Sequence, residues 1–191
     1  MAAQKRDLRP AVFLDRDGVV VVPEFRDGRS FAPRTLEAFR LYPDAREALV
    51  RLRDAGYLLV IVTNQPDIGA GLVALDTVER MHDILRTELP VDRIELCPHS
   101  QSEACACRKP KPGMLLSAAE ACAIDLPNSF MVGDRASDVE AGLAAGCRTV
   151  FIDLDYTSEL KSTRSDAVAR SVSGAADMIL EMKRTAEKGL T

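Results

Sequence analysis

An α/β fold with a central parallel sheet of about five strands and helices on both faces is predicted for this chain by three observations. Short apolar runs at 11–14, 57–62, 94–96, 129–132 and 149–152 alternate with segments of helical periodicity, the pattern of a parallel sheet. The run from Tyr57 to Val62 is β-rich and uncharged, as a strand covered on both faces must be. Three of the runs end in polar residues of a related kind: Asp15 and Asp17, then Thr63 and Asn64, then Asp134 with Asp138. Parallel strands place all such ends on one edge of the sheet, where open α/β folds bind ligands.

Taken in order, residues 1–10 are polar, end in Pro10 and read as a loose lead-in. Ala11 to Leu14 forms the first strand, and Gly18 marks the turn after it. Residues 19–43 carry Pro23, Phe25, Phe31, Pro33 and Phe39 among many charges. That composition suggests a loop or small hairpin folded over the strand end, too short for a separate cap domain. A helix runs from Pro43 and Asp44 to about Gly56, with Ala48, Leu49, Leu52 and Ala55 on one face and the glycine as terminator. The second strand leads into Thr63-Asn64-Gln65-Pro66. Leu75, Val78, Met81, His82 and Leu85 then have helical spacing to about Leu89. Ile94 to Leu96 is a short strand entering a cysteine-rich segment, and a helix from about Pro112 to Ala123 follows. Ser129 to Val132 is a strand ending at Gly133 and Asp134, Ser137 to Ala145 a helix stopped by Gly146, and Thr149 to Ile152 the last clear strand. From Tyr156 the chain is polar and Ser-rich until a weakly amphipathic helix at about 175–182.

With 191 residues, 47% of them hydrophobic, the chain is expected to form one soluble domain over 1–191. A net charge of −4 and 5% aromatic residues argue against a nucleic-acid backbone or an anionic membrane as partner. No run has the length of a membrane span, and the start lacks the apolar segment of a signal peptide, so a cytoplasmic monomer is expected.

Asp15-Arg16-Asp17-Gly18 read alone is also a plausible solvated turn. Three acidic groups converging on one strand edge would repel one another without a cation, and an oxygen-only cluster suits Mg²⁺. A carboxylate and a nearby lysine can then hold a phosphoryl group between them. Lys109, in Arg108-Lys109-Pro110-Lys111, is the candidate lysine, the alternative being a basic surface loop. Thr63 either joins that site or caps the helix after it. Asp138 either orients the metal site or is a carboxylate favoured by the dipole of the helix it begins.

Cys97, His99, Cys105 and Cys107 form a Cys-x-His-x5-Cys-x-Cys set, which suits tetrahedral Zn²⁺ with no open position. A closed site of this kind is structural, and it would pin the loop that delivers Arg108 and Lys109. Cys122 and Cys147 read as ordinary buried thiols and His82 as a structural histidine.

The set Asp15-x-Asp17-Gly18, Thr63-Asn64, Lys109 and Gly133-Asp134-x-x-x-Asp138 resembles the four motifs of the haloacid dehalogenase superfamily of phosphotransferases. The likeness spans about residues 11–155 and implies a Rossmann-like three-layer sandwich. By that resemblance Asp15 is the nucleophile that forms an aspartyl-phosphate, and Asp17 is the acid and base. Thr63 and Lys109 hold phosphoryl oxygens, and Asp15, Asp134 and the Asp17 carbonyl bind Mg²⁺. Asn64, Gln65 and Arg108 are expected to bind substrate beside them.

With Cys97-Pro98-His99 and Cys105-x-Cys107-Arg108-Lys109-Pro110, the set is similar to the capless, zinc-containing phosphatases of this superfamily. These include enzymes acting on D-glycero-D-manno-heptose 1,7-bisphosphate and on histidinol phosphate. The x5 spacing, Arg108 to Lys111, and Gly133 to Asp138 lean toward histidinol phosphate. Pro112-Gly113-Met114 and Ile68-Gly69-Ala70-Gly71 lean toward the heptose, although Ala70 stands where those enzymes commonly carry Arg. The expected substrate is a small phosphorylated metabolite, with the heptose bisphosphate favoured.

Overall fold

A computed structural model describes residues 7–26, 29–155 and 164–188. Its centre is a six-stranded parallel sheet in which the first strand, β1 (Ala11–Leu14), lies in the middle. On one side of it come β4 (Leu58–Asn64) and β5 (Arg93–Cys97); on the other come β6 (Phe130–Gly133), β7 (Arg148–Ile152) and β8 (Ala167–Ala169). Helices α1 (Ala45–Asp54), α3 (Leu75–Glu88), α4 (Gly113–Cys122), α5 (Ala136–Ala145) and α6 (Val172–Lys188) form the outer layers.

The period-two alternation of a strand decides the layering. Val12 and Leu14 of β1 join one core with Leu49 and Leu52 of α1, Met81 and Leu85 of α3, and Ala176 and Ile179 of α6. Ala11 and Phe13 point the other way, against Met114, Leu115 and Ala118 of α4 and Ala141 of α5. Both faces of β1 are thereby covered, which is why Ala-Val-Phe-Leu reads as one continuous apolar run.

Three features depart from the sequence reading. The sheet has a sixth strand, β8, whose three residues, Ala-Val-Ala, give too short a pattern to stand out from the polar stretch around it. The last helix is longer than expected, Val172–Lys188, because only its inner stripe of Val172, Ala175, Ala176 and Ile179 is buried and the rest is polar. A four-residue helix, α2 (Pro66–Gly69), follows β4 directly. Within 19–43 lies the expected small hairpin, β2 (Glu24–Arg26) paired with β3 (Arg29–Phe31). The start of the lead-in and the first part of the Ser-rich stretch lie outside the described residues. No helix among the described residues is long and apolar enough to cross a membrane.

The central pair sets the site. β1 is in register with both β4 (Leu14 opposite Ile61) and β6 (Leu14 opposite Val132), and the Asp15 N–H still donates to the Val132 carbonyl at 2.9 Å. Asp15 therefore leaves a strand held on both sides, and its carboxyl inherits that rigidity.

Candidate active site and metal centre

After Asp15 the chain turns back at once. Val20 and Val21 donate to the Arg16 carbonyl and Gly18 donates to Val21. Gly18 has φ of +94°, and a Cβ there would lie 2.2 Å from the Asp134 carboxylate, so this turn closes only around glycine. The turn seats Asp134 against β1 and buries Val19, Val20 and Val21.

Asp15, Asp134 and Asp138 bring one carboxylate oxygen each within 4.8 Å of one another, all three buried. The third carboxylate of this cluster is that of Asp138; the Asp17 side chain is turned to Arg16 and Gln65 instead. Asp138 uses both of its oxygens locally. Its Oδ2 accepts from the Arg135 backbone N–H at 3.0 Å, capping the first turn of α5, and its Oδ1 lies 2.7 Å from Lys109 Nζ. Asp138 is thus a carboxylate at the start of α5, as one of its two readings had it, and it also contacts Lys109 beside Asp15. Gly133 permits this, because a Cβ there would sit 2.2 Å from the Cβ of Asp138.

Lys109 is the buried counter-charge. Its ammonium donates to the Val62 carbonyl at 2.8 Å and pairs with Asp15 Oδ1 at 2.8 Å and Asp138 Oδ1 at 2.7 Å, so three oxygens surround it. Burial opposes the charge, but Asp138 and Asp15 outweigh it and push the lysine pKa up to about 12. The basic-surface-loop reading of this residue is excluded by its 3% exposure. One lysine does not balance three acids. Burial, reinforced by Asp15 and Asp138, pushes the Asp134 carboxyl well above the usual range, and burial raises Asp138 to about 6. Both Asp134 oxygens are buried without a hydrogen-bond partner. An unpartnered buried carboxylate is costly, and an oxygen-only set beside it fits a hard divalent cation.

Thr63, Asn64 and Gln65 all take part, in roles that burial and hydrogen bonding assign. Asn64 joins the Lys109 backbone twice, Oδ1 accepting from its N–H and Nδ2 donating to its carbonyl, both at 3.1 Å. Its amide therefore positions Lys109, where a direct contact with substrate was expected. Asn64 is half-buried, whereas Gln65 is buried, its Nε2 donating to Asp17 Oδ2 at 2.7 Å and to Thr63 Oγ1 at 2.8 Å. Thr63 makes no cap: α2 has no side-chain cap bond, and the hydroxyl sits at the strand end with its own hydrogen still to donate.

Arg16 was not singled out by its sequence context, yet it is the largest fully buried side chain. Its Nε lies 3.1 Å from both Asp17 oxygens, Nη2 is 3.0 Å from Asp17 Oδ2, and the cation stands 5.6 Å from the centre of the Phe39 ring. A visible signal was the apolar run Val19 to Val22 just after the turn, which folds over the core and leaves Arg16 beneath it. Above these groups opens a cleft of about 510 Å³, lined by Asp15, Asp17 and Lys109 inside and by Arg29, Arg108 and Arg135 farther out. Arg135 also holds the hairpin in place, donating to the Ser30 carbonyl at 2.9 Å and hydroxyl at 2.8 Å.

The cysteine loop forms a second cluster. One ligand atom from each of Cys97, His99, Cys105 and Cys107 lies within 4.8 Å of the others. Cys97 Sγ is 3.7 Å from Cys105 Sγ and 3.6 Å from His99 Nδ1, and Cys107 Sγ is 3.2 Å from His99 Nδ1. Tetrahedral bonds of about 2.3 Å to sulfur separate two sulfurs by roughly 3.8 Å, so the four groups have the spacing of a closed metal site. Arg108 and Lys109 follow its last ligand directly, and Arg108 also donates to the His99 carbonyl at 3.4 Å. Cys147 is buried as expected, and burial pushes its thiol up to about 12; Cys122 is half-buried.

Comparison with known proteins agrees with this geometry. A HAD-hydrolase-like family model matches residues 106–175. The D-glycero-β-D-manno-heptose-1,7-bisphosphate 7-phosphatase of Rhodopseudomonas palustris is 39% identical over 150 residues, covering 72% of this chain and 80% of that protein. The enzyme of the same name from Pseudomonas putida is 39% identical over 146 residues, covering 74% and 81%. Among solved structures, a D,D-heptose 1,7-bisphosphate phosphatase from Bordetella bronchiseptica, complexed with magnesium and phosphate, superposes with a TM-score of 0.77 at 28% identity. That match covers 91% of this chain and 99% of the other.

Proposed function

We infer, from a chain that belongs to the haloacid dehalogenase superfamily of phosphatases, that it hydrolyses the 7-phosphate of D-glycero-β-D-manno-heptose 1,7-bisphosphate through an aspartyl-phosphate on Asp15. The observation that carries the chemistry is the buried Asp15 carboxylate at the floor of the cleft, fixed by Lys109 beside an Asp134 whose oxygens have no partner.

In the first half-reaction an Asp15 oxygen attacks phosphorus and the bond from phosphorus to the sugar oxygen breaks. Asp17 gives its proton to the departing alkoxide. In the second half Asp17 takes a proton from water, whose oxygen attacks the aspartyl-phosphate, releasing inorganic phosphate and restoring Asp15. Thr63 donates its hydroxyl hydrogen to a phosphoryl oxygen. Lys109 brings its charge to the same oxygens and holds the attacking carboxylate in place. Asp15 and Asp134 would hold Mg²⁺, with the Asp17 carbonyl, while Asp138 holds Lys109 beside them, and that ion when bound would offset the negative charge gathered there. Cys97, His99, Cys105 and Cys107 would hold a structural Zn²⁺.

The outer cleft supports a substrate with a second anionic group. Ala70 supplies no cation, but Arg29, Arg108 and Arg135 line the wall. Phosphate release from the heptose bisphosphate, histidinol phosphate and other sugar phosphates tests the assignment. The heptose bisphosphate should give the highest kcat/KM, and Asp15→Asn should abolish release from every substrate while leaving the melting temperature within a few degrees. A faster histidinol phosphate reaction would replace the substrate, and turnover by Asp15→Asn would refute the mechanism.

A further inference from the structure

The proton of Asp17 is steered by what lies behind it. On the buried side the Asp17 carboxyl receives hydrogen bonds from Arg16 Nε, 3.1 Å from each oxygen, and from Gln65 Nε2 at 2.7 Å, and Arg16 Nη2 stands 3.0 Å from Oδ2 as an ion-pair contact. A guanidinium has no acceptor, and neither has the amide nitrogen of Gln65. With Asp17 ionised, Gln65 must present its amide nitrogen, because turning it over would set a carbonyl against a carboxylate.

Arg16 is itself held by an acceptor. Its Nη1 lies 3.5 Å from His82 Nε2, and His82 Nδ1 faces Glu79 Oε1 at 3.6 Å. Nε2 can accept only if the ring is neutral with its proton on Nδ1, the tautomer that points an N–H toward Glu79. The ring is 1% exposed, and burial, Arg16 and Arg86 hold its pKa down at about 4, so it stays neutral; Asp83 opposes them weakly.

We propose that Arg16 and Gln65, with His82 behind Arg16, are positioning residues that force the acid proton of Asp17 onto the lone pair facing the cleft. A carboxylic acid whose buried lone pairs all receive N–H bonds can place its own hydrogen only on the open side. There it meets the leaving oxygen, and the same lone pair later receives the proton from water. The proposal rests on Asp17 being the acid and base.

The test separates positioning from folding by leaving group. kcat/KM reports the steps through phosphoryl transfer to Asp15. An alkyl phosphate needs a proton on its departing oxygen, whereas p-nitrophenolate leaves without one. Asp17→Asn should therefore lose about 100-fold or more in kcat/KM on the heptose bisphosphate and far less on p-nitrophenyl phosphate. Gln65→Leu and His82→Phe should each lose at least about 5-fold more on the sugar phosphate than on the aryl phosphate, and His82→Gln, which keeps an acceptor, should recover most of that difference. Should His82→Phe fail to fold, Gln65→Leu decides alone. Equal losses on both substrates, with Asp17→Asn still discriminating, would overturn the positioning roles. Equal losses in Asp17→Asn itself would overturn the acid assignment and the inference with it.

Discussion

The cysteine loop and the acidic cleft both gather metal-ligating groups, by opposite routes. The loop draws four ligands from one short stretch, Cys97 to Cys107, at the end of an outer strand. The cleft draws Asp15, Asp134 and Asp138 from two central strand ends and the first turn of α5. Among the described residues, no helix or strand lies between Cys97 and Gly113 in the first case, so a metal held there would add directly to the ordering of that loop. The scaffold of the second is the sheet core itself, so a cation there would be held by groups that the strand ends already place. Lys109 joins the two, since the loop carries it and the cleft uses it.

Removing each metal is the strongest way to break this distinction. Stripping zinc should lower stability by about 5 kcal/mol or more and abolish turnover, both restored by zinc. Withholding magnesium should also abolish turnover but cost no more than about 3 kcal/mol, the linkage expected of a ligand at some hundred times its Kd. Melting curves beside phosphate release check both, and equal falls in melting temperature would erase the contrast.

Gly133→Ala attacks the cleft alone. The added Cβ would lie 2.2 Å from the Asp138 Cβ, so one of the two backbones must shift. A loss of about 1–3 kcal/mol in urea unfolding is expected, with a fall in kcat as Asp138 leaves Lys109. Asn64→Ala attacks the junction: both hydrogen bonds to the Lys109 backbone vanish, at a cost of about 1–2 kcal/mol, and kcat should fall more than KM rises.

The last effect is a pH slope at the back of the cleft. Burial, with Arg16 and Arg86, holds His82 at about 4 in the folded protein, whereas the unfolded chain takes up the proton near its ordinary value of 6.5. The unfolded state therefore binds the proton first. This contribution to stability is complete above pH 6.5 and is lost toward pH 4, at no more than about 1.4 kcal/mol per pH unit. Chemical unfolding at pH 7 and 5 should show a shallower pH dependence in His82→Gln; an unchanged dependence would place the titration elsewhere.

Much of this site was legible because its chemistry is tied to strand ends and local spacing. Asp15, Thr63, Lys109 and Asp134 are all buried, and Cys97, His99, Cys105 and Cys107 bring one side-chain atom each within 4.8 Å of the others. Less legible were residues whose role depends on the partner they meet. Asn64 and Gln65 carry amides that suit a substrate as well as they suit Lys109 and Asp17, and nothing local chooses between those uses. Arg16 looked like part of a polar turn because its burial is caused by the valines after it and by Phe39 and His82, which arrive from elsewhere in the chain.

The sequence by itself determined a parallel α/β sheet, the strand ends that carry the carboxylates, and a loop with four metal-ligand side chains. Periodicity and spacing are local properties, and one chain displays them without folding. Tertiary structure alone decided that Asp138 completes the acidic cluster, that three oxygens surround the Lys109 ammonium, and that Asp17 backs onto Arg16 and Gln65. These depend on the order of strands and on which side chain meets which in a dry interior. There a missing partner is costly, so each buried polar group is fixed by whatever the packing brings to it.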